Sequence, residues 1–220
     1  MTESTGKRWT HPVRRLALLC AGLVIMAFGV AFSIKAALGT SPISSVPYVT
    51  ARISGLSVGT TTTIIMNFLF VLIQIAILRR QYEWFQLLQF PAAVLFGVMI
   101  DVAEAVLAPL PAGNYAQQWL LCAAGIFFIA LGVSVEVMAN LVTTAGEGIV
   151  LAICKVVPVK FGNMKMAFDI TLVCISIVLS LLFLGQLDGV REGTVAAALL
   201  VGQITKRFQP LMKTLERAVL

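Results

Sequence analysis

Six apolar runs, most of them of bilayer length, limit what this chain can become: Leu16–Ala37, Thr60–Leu78, Gln86–Leu107, Trp119–Leu141, Met164–Leu184 and Thr194–Phe208. A helix needs roughly 18–20 apolar residues to cross the 30 Å hydrocarbon core. Only helices and closed barrels satisfy every backbone polar group there. With 59% hydrophobic and 12% charged residues, the chain is far from the globular average of about 45–50% apolar and 25% charged. The expected class is an all-α polytopic membrane protein without a soluble domain.

Two polar, Gly- and Pro-marked stretches interrupt this pattern, Leu38–Thr63 and Leu141–Met166. The Ile43–Ser54 core of the first has 12 residues. As a helix it would reach roughly 18 Å, too short to span. Ser41 suits an N-cap, Pro42 the first helical turn and Gly55 a C-cap, while Pro47 would weaken or kink the piece between them. The second stretch offers a similar short segment, Gly146–Val157. Six spans plus two short re-entrant half-helices are therefore expected, with eight full spans as the alternative.

An ungapped offset of 103 residues pairs Leu18 with Leu121, Gly22 with Gly125, Gly29 with Gly132, Thr40 with Thr143 and Gly59 with Gly162. In all, 11 of 52 positions (18–69 against 121–172) are identical, where so biased a composition gives roughly four by chance. Glycines matter most in this comparison, because Gly in a membrane helix marks close approach or a break. The division expected is a basic cytosolic leader at 1–15, repeats at 16–107 and 119–208, a Pro/Gly connector at 108–118, and a cytosolic or interfacial tail at 209–220. If the short segments re-enter, the repeats are inverted and only Lys35, Arg52 and Arg191 lie outside. If they cross, the repeats are parallel and Lys35, Arg79, Arg80 and Arg191 lie outside. Both satisfy the positive-inside rule and leave both termini in the cytoplasm.

The net charge of +6 comes from basic residues at the ends of apolar runs, including Lys7, Arg8, Arg14, Arg15, Lys155, Lys160 and Lys165. That placement argues for topology and anionic headgroups and against nucleic acid. The run after Arg15 exceeds a signal-peptide core of about 7–15 residues, so a retained anchor helix is expected. Cys20, Cys122, Cys154 and Cys174 sit in apolar stretches without a CxxC pair, and His11 is the one histidine. No metal and no cofactor is expected, and with no nucleophile–base set in the spans the chain is read as not an enzyme.

SIKAALGTSPISSVPYV, then LSVGTTTTIIMNFLFVLIQI and QLLQFPAAVLFGVMID, resemble the YczE/YyaS/YitT family of bacterial membrane proteins, nearest its YczE branch. LGVSVEVMANLV, GEGIVLAI, KFGNMKMAFD and GVREGTV agree, so the resemblance covers about 16–208. It implies a multi-span inner-membrane protein, often regarded as a presumed transporter, and supplies no substrate or catalytic residue.

Broken helices at membrane depth are tolerated where they line a cavity, and repeat transporters use them to hold substrates. The candidate substrate-binding residues are Thr40, Ser41, Ser44 and Ser45 at one helix start, and Thr143, Thr144 and Gly146 at the other. Lys35, Glu136, Glu147 and Asp169 are candidates for ion coupling or buried charge, since charge in a span is costly, and a Lys35–Glu136 salt bridge is one expectation. Asp101 and Glu104 read as interfacial snorkelling residues, and Asn67 as an interhelical hydrogen-bonding residue. The expected function is secondary transport of a small solute, an anionic one fitting the helix dipoles. The alternative is a non-transporting membrane partner or regulatory subunit. The expected partners are the lipid bilayer and that solute, with a homo-oligomer left open.

Overall fold

The computed structural model describes residues 11–79, 82, 84–111, 113–159 and 161–219, without the side chains of 161–163, 165, 166, 209, 213 and 217–219. The leader up to residue 10, Arg80, Lys160 and the Lys165 side chain lie outside the described residues.

Among the described residues the chain is helical, with no strand. The eight helices are α1 (Pro12–Ala36), α2 (Pro42–Ser54), α3 (Ile64–Leu78), α4 (Gln89–Leu107), α5 (Tyr115–Ala139), α6 (Ala145–Val156), α7 (Phe161–Leu179) and α8 (Glu192–Val219). A π-helical turn, Val58–Thr63, leads into α3, and another, Ser180–Leu184, follows α7. Five stretches are long and apolar enough to cross a membrane: Pro12–Ala36, Val58–Leu78, Trp84–Leu107, Tyr115–Ala139 and Ala167–Leu184. The sixth expected span is absent from that set because its apolar run is short and closes on Lys206 and Arg207. α8 runs on through Pro210 as one helix.

Four pairs of elements begin 103 residues apart: Pro12 and Tyr115, Pro42 and Ala145, Val58 and Phe161, Gln89 and Glu192. α1 and α5 both end in a left-handed residue, Ala37 (φ 54°) and Asn140 (φ 46°), and these two are also 103 apart. The Ala37 N–H returns to the Ile34 carbonyl and the Asn140 N–H to that of Val137. Such a cap stops a helix at a defined residue. α2 keeps its helical path through Pro47, which leaves the Ile43 carbonyl without its usual i+4 donor.

α1 and α5 form the most extensive helix pair and run antiparallel. A Cβ on Gly22 would meet the Gly132 carbonyl at 3.0 Å, and one on Gly29 would meet the Gly125 carbonyl at 2.9 Å. Half of the apolar window in each of these two helices is buried, against 17% for α7. Residues of the first core cluster, including Leu19, Leu23, Met26 and Ile129, fill the seam. The outer faces are apolar as well, with Ile65, Leu120, Leu182 and Phe183 all more than half exposed. A surface this apolar in a chain this hydrophobic fits contact with lipid rather than water.

Candidate functional site

Every break in a long helix frees backbone groups that need partners, and four of these ends are met by a side chain of opposite charge. Arg15, 2% exposed, donates to the Ala139 carbonyl at the end of α5. Arg191 donates at 3.0 Å to the Ala37 carbonyl just beyond α1. Asp101 accepts the Gly59 and Thr60 N–H groups, each at 2.7 Å, at the π-turn that opens α3. Glu136, 2% exposed, accepts the Thr144 N–H at the start of α6. Cations at C-termini and anions at N-termini complement the helix dipole.

The N-terminus of α2 is different. The residue 103 before Glu136 is Ser33, whose hydroxyl turns back to the Gly29 carbonyl of its own helix. Among the described residues no carboxylate caps this end. Ser41 and Ser44 bond to each other through their hydroxyls at 3.0 Å, and Ser45 returns to the Pro42 carbonyl at 2.7 Å. Ser45 thus bonds back within its own helix, while Ser44 lines a small cavity of about 60 Å³ with Ser41, Thr63, Asn67 and Thr144. The Thr63 hydroxyl, on a residue 5% exposed, makes no hydrogen bond among the described residues. Ile43 packs where a Gly146 Cβ would stand, so the two short helices touch near their N-termini. Gly146 therefore serves close packing.

Two larger cavities flank this constriction. One, about 380 Å³, is lined by Gln74, Gln86, Gln89, Glu136, Asn140 and Thr143, with Lys155 at its rim. The other, about 370 Å³, is lined by Ser33, Thr40, Tyr48, Arg52, Asp188 and Arg191 among others. Nine of its twelve lining residues stand 103 positions from a residue lining the first, Ser33 and Glu136, Thr40 and Thr143, and Arg52 and Lys155 among them. The first cavity adjoins the C-terminal end of α5, the second that of α1, and these helices are antiparallel. The cavities therefore lie at opposite ends of the molecule.

The expected Lys35–Glu136 salt bridge does not form. Gly22 packs against the Glu136 backbone, and Lys35 is 13 residues further along α1, roughly 20 Å at the helical rise. Lys35 instead donates at 2.8 Å to the Ala108 carbonyl beyond α4. Thr40 is buried, with its hydroxyl on the Gly189 carbonyl. Glu147 is close enough to Glu136 for their charges to interact. Asp169, half-buried on α7, lines neither large cavity. Both Glu147 and Asp169 are engaged in interactions of their own.

The model of DUF6198, a family of unknown function, matches residues 13–210. The chain belongs to DUF6198. No curated protein and no solved structure matches it. The DUF6198 match reaches all eight helices, covering both short ones and the lining of both large cavities and ending within α8.

Sequence reasoning missed two groups in this DUF6198 chain. Gln74 and Gln89, 1% and 3% exposed, exchange amide hydrogen bonds of 3.1 and 3.3 Å, and Gln74 also donates to the Ala145 carbonyl. A buried polar pair must be satisfied internally, and a glutamine in each of two neighbouring spans was the available signal. Asp101 is the other, a helix cap rather than a snorkelling side chain. The signal was its place one span away from a stretch of four threonines whose N–H groups need an acceptor.

Proposed function

We propose that this chain is a secondary transporter of a small solute bearing one negative charge, built from two inverted repeats in a bacterial inner membrane. The observation that carries this reading is the pair of similarly lined cavities. They open toward opposite ends and converge on a constriction made by the N-termini of α2 and α6. A carrier needs alternate access to one site near the midplane, and inverted repeats with broken helices provide two equivalent routes to it. The uncapped start of α2, with Ser41, Ser44 and the unsatisfied Thr63 hydroxyl, is the end suited to an anionic group. The start of α6 is already occupied by the Glu136 carboxylate.

Contacts at the flanks of the short helices support re-entry. Thr40, just before α2, and Arg52, in its last turn, meet Gly189 and Asp188 of the same loop. Lys35, Arg52 and Arg191 then share one end of the molecule, the arrangement expected of six spans with cytoplasmic termini. The resemblance to the YczE branch belongs to this same reading.

Uptake into proteoliposomes tests it. Chloride, nitrate, formate, lactate and phosphate are the probes, with Ser44→Trp filling the cavity of about 60 Å³. At least one anion should enter faster than into empty vesicles, and Ser44→Trp should remove the difference. Equal uptake of all five with and without protein would favour the non-transporting partner instead.

A further inference from the structure

Two residues that line the cavity of about 380 Å³ each carry a buried oxygen without a hydrogen-bond partner among the described residues: Oε2 of Glu136 and Oε1 of Gln86. Glu136 has already used Oε1 on the Thr144 N–H, so Oε2 is the atom left to the cavity. A buried carboxylate oxygen without a partner is among the costliest arrangements a protein can hold. Gln86 Oε1 is an acceptor in every protonation state and can be satisfied only by a donor or a cation. The Gln74 and Gln89 amides are bonded to each other and supply neither.

We propose that this cavity is a binding site for a monovalent cation, held between Glu136 Oε2 and Gln86 Oε1. Thr143 and Asn140 supply further oxygens in the same lining. One carboxylate with neutral oxygens balances a single positive charge. A divalent ion takes more carboxylates, and no cluster of three His, Cys, Asp or Glu occurs among the described residues. Lys155, the basic residue of the lining, is exposed at the rim. The counterpart cavity has Ser33 where this one has Glu136, and its one lining carboxylate, Asp188, is paired with Arg52 at 3.1 Å, so it offers no equivalent seat. The asymmetry confines the ion to one end of the molecule.

This inference deepens the transport reading by naming its coupling ion, and its test is a binding measurement that needs no transport. Thermal unfolding of the full chain in detergent is followed at constant ionic strength, with choline chloride replaced stepwise by sodium, potassium or ammonium chloride. An ion that binds the folded state raises the midpoint with its concentration. At least one of the three should do so, and Glu136→Gln, which keeps an oxygen for the Thr144 N–H, should abolish the rise. Gln86→Met should shift the response at least tenfold to higher concentration, and Lys155→Ala should retain it. A response to ammonium alone marks an N–H donor ligand; a response to sodium or potassium marks an alkali ion. No rise above choline with any of the three overturns the site, as does a rise that survives in both Glu136→Gln and Gln86→Met. Anion uptake without any cation response sinks this site alone, and a cation response without uptake sinks the transport reading alone.

Discussion

Ala37 holds a conformation that L-residues avoid. Its φ of 54° costs a non-glycine residue about 1–2 kcal/mol, and its side chain is exposed, so little packing opposes a change. Ala37→Gly should raise the midpoint of thermal unfolding in detergent, corresponding to roughly 1 kcal/mol. Asp101 is the opposite case, a carboxylate holding two backbone N–H groups of another helix. Asp101→Ala should destabilise by about 1–3 kcal/mol, measured by the same melt. The Gln74–Gln89 pair has a non-additive signature. Either single change to Leu strands a buried amide and should cost about 1–3 kcal/mol, while the double change should cost less than the two combined. A double-mutant cycle reads that difference.

At the scale of helices, the α1–α5 seam depends on backbones meeting where side chains are missing. A Cβ on Gly125 would stand 2.9 Å from the Gly29 carbonyl and 3.0 Å from the Ser33 nitrogen. Backbone cannot yield there, so Gly125→Val should prevent recovery of folded protein in size-exclusion chromatography. Gly202, on α8, has nothing within 4 Å of an added Cβ. Gly202→Ala should fold normally and gain up to about 1 kcal/mol of helix propensity.

For the molecule as a whole, the decisive property is which residues share an end. The contacts of Arg52 with Asp188 and of Arg191 with Ala37 put both arginines at one end, with Lys155 at the other. In a cysteine-free background, Arg52→Cys and Arg191→Cys should label with a membrane-impermeant maleimide from the same side, and Lys155→Cys from the opposite side. Labelling of Arg52→Cys and Arg191→Cys from opposite sides would mean that α2 crosses the membrane, and the half-helix site would fail with it.

Helical class, five of the six expected apolar spans and the interruptions at 38–63 and 141–166 were legible in the chain, because apolar length and Gly/Pro punctuation act locally. The 103-residue offset needs only the chain compared with itself, and four pairs of elements start 103 residues apart. The partners of the charges were not. Arg15 reaches Ala139, Asp101 reaches Gly59, and Lys35 reaches Ala108 rather than Glu136. Those choices follow from how α1, α4, α5 and the π-turn before α3 pack on one another, a long-range arrangement that no local pattern encodes. Packing between distant elements also brings Glu136 and Gln86 into the lining of one cavity. Sequence chose which groups would be costly to bury, and the tertiary structure decided what each would face.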